Sequence, residues 1–415
     1  LTASASFQSG INKQAVQQKE IKTLGATTAM TQSETRLSQN APISERSYAS
    51  RVPETKEAIE GLSVESQAGL RQYSLERFLG YGLDYSDAVE LRSMVLSGIA
   101  WKAAATELAE RCMSKMQGSP ASNITLMRRA SALLRMSQAM MLTDTPERAE
   151  IFQRATDLYG QAAKLAGNCK PVQIETNDGP ICGWLHPSVG QPVGSVIVIG
   201  GVEGWAMDFA CMGDALAARG INALMLDGPG QGETRYAHEH YLTKDWRHAF
   251  ERVIDYLAAR RPSTPIGFIG NSMGGSFAMA VANEDKRIVA CVNNGGPFAP
   301  WLVPQEGAFF KKMMALANVK TAEAAVDIWS TVTPISPGSN ADYPLLMVHG
   351  SEDPLIANEV AMMLWERSPT PNKEMVTFSD GDHCIYRHLS DRDILVSDWM
   401  RERLVGAGQT QSFYK

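Results

Sequence analysis

The chain of 415 residues has no apolar run near the roughly 20 residues that a membrane-spanning helix needs. It also has no excess of positive charge: 39 Lys and Arg stand against 45 Asp and Glu, a formal net charge of −6. That balance offers no basic face, so neither nucleic acid nor a membrane surface is an expected partner. Cysteine is sparse and scattered. Cys112, Cys169, Cys182, Cys211, Cys291 and Cys384 form no CxxC pair, which argues against a disulfide framework and for reduced thiols in a cytoplasmic setting. No internal repeat is visible, which argues against a stacked array. The chain opens on Leu1 rather than Met, which reads as a trimmed start, and its first residues lack the basic-then-apolar layout of a secretory leader.

What is present is ordinary for a globular protein: 44% hydrophobic and 20% charged residues. The length suits a main domain with an accessory one. Residues 1–50 are expected to form an arm, because their Ser-, Thr-, Gln- and Ala-rich composition buries little surface by itself. Residues 51–167 read as a helical cap domain. Asp87–Met116 and Ser122–Met141 carry apolar residues at helical spacing, and Asp144-Thr145-Pro146-Glu147 is a helix start with proline in the first turn.

The texture changes after Gly167. Pro171–Thr176 and Ile181–His186 alternate as a hairpin around Asn177-Asp178-Gly179. Strand and helix patterns then alternate to the C-terminus, with strands expected at 195–199, 223–226, 266–269, 289–293, 345–349 and 374–378. Such alternation predicts an α/β domain over residues 168–415, a mostly parallel sheet with helices on both faces. Residues 297–342 interrupt the series with a Pro- and Met-rich stretch, expected to be a lid insertion over the site.

Gly270-Asn271-Ser272-Met273-Gly274 is a G-x-S-x-G run between an apolar strand and a small-residue helix. Small neighbours permit the cramped strand-to-helix turn that lifts a serine hydroxyl clear of the sheet, the nucleophile turn of the α/β-hydrolase fold. A serine nucleophile needs a base and an acid to orient it, in the chain order Ser, Asp or Glu, His. Asp353, in His349-Gly350-Ser351-Glu352-Asp353-Pro354, is the candidate acid, with Glu352 its rival. His383, in Ser379-Asp380-Gly381-Asp382-His383, is the candidate base, with His388 its rival. The expected oxyanion donors are the amides of Met273 and Val202, the latter in the loop Gly200-Gly201-Val202-Glu203-Gly204-Trp205.

Other features carry less. Asp227-Gly228-Pro229-Gly230-Gln231-Gly232-Glu233 lacks the Lys-Ser/Thr ending of a phosphate loop and reads as a tight loop beside the pocket. His238-Glu239-His240 has no third ligand at a fixed spacing, so no metal is expected. Nor does any motif require a cofactor. Glu203, Trp205 and Glu306, and from the helical block Arg71, Tyr73 and Tyr81, are candidates to line the substrate site.

The run Arg77-Phe78-Leu79-Gly80-Tyr81-Gly82 with Trp101, together with Gly200-Gly-Val-Glu-Gly, Asp227-Gly-Pro-Gly-Gln-Gly, Gly270-Asn-Ser-Met-Gly-Gly and Gly381-Asp-His, resembles the FrsA-like branch of the α/β hydrolases over residues 70–405. That branch includes hydrolases that cleave a carbon–carbon bond beside a ketone by a retro-Claisen route, among them fungal enzymes that shorten polyketides. The resemblance implies that activity on a polyketide, β-dicarbonyl or acyl-phenol substrate, and a homodimer. Alternatives are an esterase or thioesterase, an intramolecular acyltransferase acting on a bulky secondary metabolite, or a hydrolase-fold binding protein without catalysis.

Overall fold

The computed structural model describes residues 51–413; the arm expected over residues 1–50 lies outside the described residues. Seven helices between Lys56 and Ala166 precede the first strand. Their starts are written in the sequence as caps. Ser63, Ser74, Asp84, Ser119 and Thr145 each accept a hydrogen bond from a first-turn amide, and Pro120 and Pro146 follow their caps directly. The helix expected over Asp87–Met116 is two, Tyr85–Leu96 and Trp101–Met113. Gly98 breaks it, with φ of 92°, a conformation that glycine adopts at no steric cost. The second expected helix runs from Pro120 to Ser137, and Ala139–Met141 lie beyond its end.

Eight strands form one sheet: β1 (Lys170–Ile174), β2 (Ile181–His186), β3 (Gly194–Ile199), β4 (Ile221–Asp227), β5 (Ile266–Asn271), β6 (Ile288–Asn294), β7 (Leu345–Gly350) and β8 (Lys373–Phe378). Their order is β1-β2-β4-β3-β5-β6-β7-β8. The β1–β2 and β2–β4 pairings are antiparallel and all others parallel. From β3 the chain moves one strand outward to β4, then returns to place β5 on the other side of β3. That reversal opens a crevice at the carboxyl ends of β3 and β5, where open α/β sheets bind ligands.

Strand alternation divides the core. Val196, Val198, Met225, Ile269 and Val292 face one side and join the helical block through Trp101, Phe78 and Tyr73. Ile197, Ile199, Leu224, Phe268 and Cys291 face the other. On this second side the 297–342 segment docks two helices, Ala308–Leu316 and Ala322–Trp329, through Phe310, Met313 and the buried Trp329. The site therefore lies between a wall anchored on one face of the sheet and a wall anchored on the other.

Arg135 fastens the helical block to the loop after β3. Its side chain is 2% exposed and its Nε lies 2.8 Å from the fully buried carboxylate of Asp208; Nη2 donates to the Tyr81 carbonyl at 3.0 Å. Removing one member of a buried pair strands the other charge, so Arg135→Ala is expected to cost about 3–5 kcal/mol. Urea unfolding measures this; a loss below 1 kcal/mol, on the order of an exposed pair, would contradict the role.

Candidate active site

The carboxyl end of β5 runs straight into a helix, Met273–Ala282, with only Ser272 between them. Ser272 has φ 54° and ψ −132°, a strained setting that costs a non-glycine residue roughly 1–3 kcal/mol. Its neighbours hold it there. The Ser272 amide donates to the Asn294 carbonyl at 2.8 Å, and the Ser272 carbonyl accepts from the Gly275 amide at 2.8 Å. A methyl group at Gly274 would lie 2.5 Å from the Gly200 carbonyl oxygen, so the helix reaches this close to β3 only with glycine.

His383 Nε2 is 2.8 Å from Ser272 Oγ, and its Nδ1 donates to Asp353 Oδ2 at 2.8 Å. The other carboxylate oxygen of Asp353 accepts from the Leu355 and Ile356 amides at 2.7 and 3.0 Å. Burial raises the Asp353 carboxyl, but its bond to His383 and these amides outweigh that, and its pKa falls below the usual range. For His383 burial opposes the charged form; Cys384 and the Asp353 carboxylate outweigh it, and the pKa rises. The rivals are engaged elsewhere. Glu352 pairs with Arg387, and His388 with Asp380 at 2.8 Å.

The histidine loop is strained as well. Cys384 and Ile385 have φ of 60° and 59°, unusual for any side chain and more so for a β-branched one. Burial of Ile385 and bonds from Arg392 (2.9 Å) and Asn294 (3.2 Å) to the Cys384 carbonyl hold the conformation.

On the opposite side of Ser272, a Cβ on Gly201 would lie 2.7 Å from the Ser272 Cβ. Val202 lines the cavity, and Met273 opens the helix after Ser272. Among the described residues neither amide donates to a protein acceptor, as befits donors left for a ligand. The Asp227–Glu233 loop braces this side: Gln231 Nε2 donates to the Gly200 and Gly201 carbonyls at 2.9 and 2.6 Å. Asp227 accepts from the Ala206 and Glu233 amides at 2.7 and 3.0 Å.

Above Ser272 is a cavity of about 620 Å³. Arg71, Tyr81 and Glu203 line it, as the sequence suggested. Three other suggested residues lie off this cavity. Trp205 is 6% exposed and packs edge-on against Phe152, in the core beneath the loop. Tyr73 is 1% exposed, stacked on Phe78, with its hydroxyl 3.4 Å from Glu203; it supports the wall from behind. Glu306 is exposed on the turn before helix Ala308–Leu316 and lines no described cavity, because it is Phe309 and Lys312 of that helix that point inward. His240 is buried with Nδ1 donating to the Gly179 carbonyl at 3.1 Å. Among the described residues no His, Cys, Asp and Glu cluster is placed to hold a metal ion.

The sequence reading missed Arg77, Lys312 and Asn294. Arg77 was visible inside a motif but was given no role. Lys312 interrupts the apolar stripe Phe309, Met313, Leu316 at helical spacing, a signal for a buried cation. Asn294 carries no local signal; it matters only because β6 ends between β5 and β7.

The model of the "Alpha/beta hydrolase family" matches residues 196–397, which span Ser272, Asp353, His383 and the loop after β3. The chain has the α/β-hydrolase fold, and the stretch that matches the family holds its sheet from β3 onward. Over 271 residues the chain is 26% identical to a 2,6-dihydropseudooxynicotine hydrolase of Paenarthrobacter nicotinovorans, covering 62% of this chain and 69% of that one. It is 28% identical over 186 residues to hydrolase LUC6 of a Fusarium species, covering 41% of this chain and 44% of the fungal protein; the chain thus spans under half of that relative's length. The solved structure of a 2,6-dihydroxy-pseudo-oxynicotine hydrolase superposes with a TM-score of 0.70 at 22% identity, covering 80% of this chain and 96% of its own. The shared fold includes the helical block, since a match of that extent reaches beyond the sheet domain. Among the described residues no helix is long and apolar enough to cross a membrane.

Both His383 and the brace behind it can be tested. A general base works in its neutral form, so a raised His383 pKa moves the acid limb of kcat/KM upward. Activity on a p-nitrophenyl ester should rise with pH to half its maximum above about 6.5, the ordinary histidine value; a midpoint below 6 contradicts the shift. Asn294→Ala removes the side-chain bonds to Asn271 Oδ1, beside the serine turn, and to the Cys384 carbonyl in the histidine loop, and a displacement on the order of 1 Å lowers kcat about 100-fold. Steady-state kinetics with thermal unfolding as a control reads that loss.

Proposed function

We propose that Ser272 is the nucleophile, His383 the general base and acid, and Asp353 the carboxylate that orients and stabilises the imidazolium. The hydrolase then breaks a carbon–carbon bond beside a ketone in a bulky β-dicarbonyl or acyl-phenol compound of the polyketide kind. The observation that carries the mechanism is the unbroken line from Ser272 Oγ through His383 to Asp353, with both links at 2.8 Å. The substrate class draws on the resemblance to carbon–carbon hydrolases and on a cavity of about 620 Å³ walled by the helical block and the 297–342 segment, roomier than a small ester requires.

In this mechanism the Ser272 hydroxyl adds to the ketone carbon while its proton passes to His383 Nε2. The carbonyl oxygen becomes an oxyanion facing the Val202 and Met273 amides. Collapse of the tetrahedral intermediate breaks the carbon–carbon bond, and the electron pair leaves as an enolate that takes the proton back from His383. Water, deprotonated by His383, then attacks the acyl-serine; an acid is released and Ser272 regains its proton. The same apparatus cleaves esters, which makes substrate comparison the decisive test.

Purified protein should cleave aryl 1,3-diketones, and Ser272→Ala should lower that rate by about 10⁴-fold or more. Fast turnover of p-nitrophenyl esters with no diketone cleavage contradicts the carbon–carbon reading. Failure of a fluorophosphonate to label Ser272 in folded protein contradicts the triad itself. The homodimer implied by the resemblance is part of the same proposal, and the mass in solution measures it.

A further inference from the structure

Beside the oxyanion loop, the inner wall of the cavity is built from charged groups that hydrolysis by the triad does not use. Glu203, next to Val202, is 9% exposed at its side chain and meets two cations from different parts of the chain. Lys312, 5% exposed, comes from the 297–342 segment and contacts the Glu203 carboxylate directly. Arg77, from the helical block, lies 3.6 Å from it. Both cations are held in place. Lys312 Nζ donates to the Ala139 carbonyl at 3.0 Å. Arg77 donates to the Tyr81 hydroxyl at 2.9 and 3.2 Å, and its guanidinium lies 4.9 Å from the centre of the Tyr73 ring. Arg77, Glu203 and Lys312 all border the cavity.

The wall is short of negative charge. Arg135 and Asp208 behind it pair with each other at 2.8 Å, and Asp144 takes up Arg235 at 2.5 Å with Arg148 at 3.7 Å. Of the other charged groups that border the cavity, Arg71, Glu76, Glu352 and Arg387 are exposed and Asp382 is half-buried; on the buried inner wall one carboxylate, Glu203, stands against two cations. Burying an unmatched cation is unfavourable unless something else supplies the counter-charge. Lys312 registers the same imbalance: burial, then Arg77 and Arg148, push its ammonium down to about 7.

We propose that Arg77 and Lys312 form a subsite for an anionic oxygen of the substrate, the enolate or phenolate of the leaving half, with Glu203 setting the spacing of the two cations. This rests on the reading of Ser272 as nucleophile for its place in the reaction, and it names the substrate class: acidic oxygen compounds rather than neutral esters. Glu203 lies two residues from Gly201, which abuts Ser272, so an acyl carbon on Ser272 and an anionic oxygen on this wall belong to one small molecule. When the carbon–carbon bond breaks, its electron pair comes to rest on an oxygen facing two cations.

Calorimetric titration of the intact protein with salicylate and with salicylamide, its neutral counterpart, tests the subsite without any turnover. Salicylate should bind at least tenfold more tightly. Lys312→Met should bring the two within about twofold of each other, while Lys312→Arg keeps the preference. Equal binding of the two compounds by the native protein overturns the proposal, as does an undiminished preference in Lys312→Met. If Lys312→Met does not unfold cooperatively, Arg77→Gln is read by the same ratio. Preference for the anion without diketone cleavage leaves the subsite standing and sinks the carbon–carbon reading. Absent fluorophosphonate labelling sinks the triad instead, so the failures are distinguishable.

Discussion

Asn294, at the end of β6, ties together the two strained turns on which the site depends. Its carbonyl accepts from the Ser272 amide at 2.8 Å and from the Cys384 thiol at 3.4 Å. Its side-chain amide donates to Asn271 Oδ1 at 2.8 Å and to the Cys384 carbonyl at 3.2 Å. One residue therefore fixes the backbone on both sides of the serine–histidine contact. Each turn alone is unfavourable, since Ser272, Cys384 and Ile385 all sit at positive φ. Surrounding structure must over-determine such conformations, and a fully buried asparagine with partners on both loops does so.

The same economy appears on the other side of Ser272. β3 and β5 are neighbours in register, Ile199 opposite Gly270, so their exit loops emerge side by side at the point where the chain reverses its winding. Gly201 touches Ser272 there, and Gln231 clamps the Gly200 and Gly201 carbonyls. The loop that looked like a phosphate-binding motif thus serves as a brace. Its glycines let it approach the first loop, and its glutamine supplies donors to carbonyls that point away from water.

Two walls close the site, and they are anchored on opposite faces of the sheet. The helical block holds on through Arg135 and Asp208 and through the shared core around Trp101. The 297–342 segment holds on through Phe310, Met313 and Trp329. Where they meet, Lys312 of one wall donates to the Ala139 carbonyl of the other. The charged wall beside Ser272 is thereby assembled from three separate stretches of chain, and none of these is informative alone.

That difference marks what each level of description determined. Local sequence was enough for the strands after Gly167, the helix start at Pro146, the α/β class and the nomination of Ser272, Asp353 and His383, because each of these depends on neighbours within a few residues: small residues at a turn, an acid after a strand, a histidine in the next loop. Trp205, Tyr73 and Glu306 lie off the cavity above Ser272, which local sequence does not reveal, since whether a side chain points into a cavity or a core depends on packing between distant segments. It was silent on Asn294 and on the pairing of Arg77 and Lys312 around Glu203. Only the tertiary structure decided those, because strand order, not chain order, sets which loops share an end of the sheet, and an electrostatic site exists only once burial removes the water that would otherwise screen its charges.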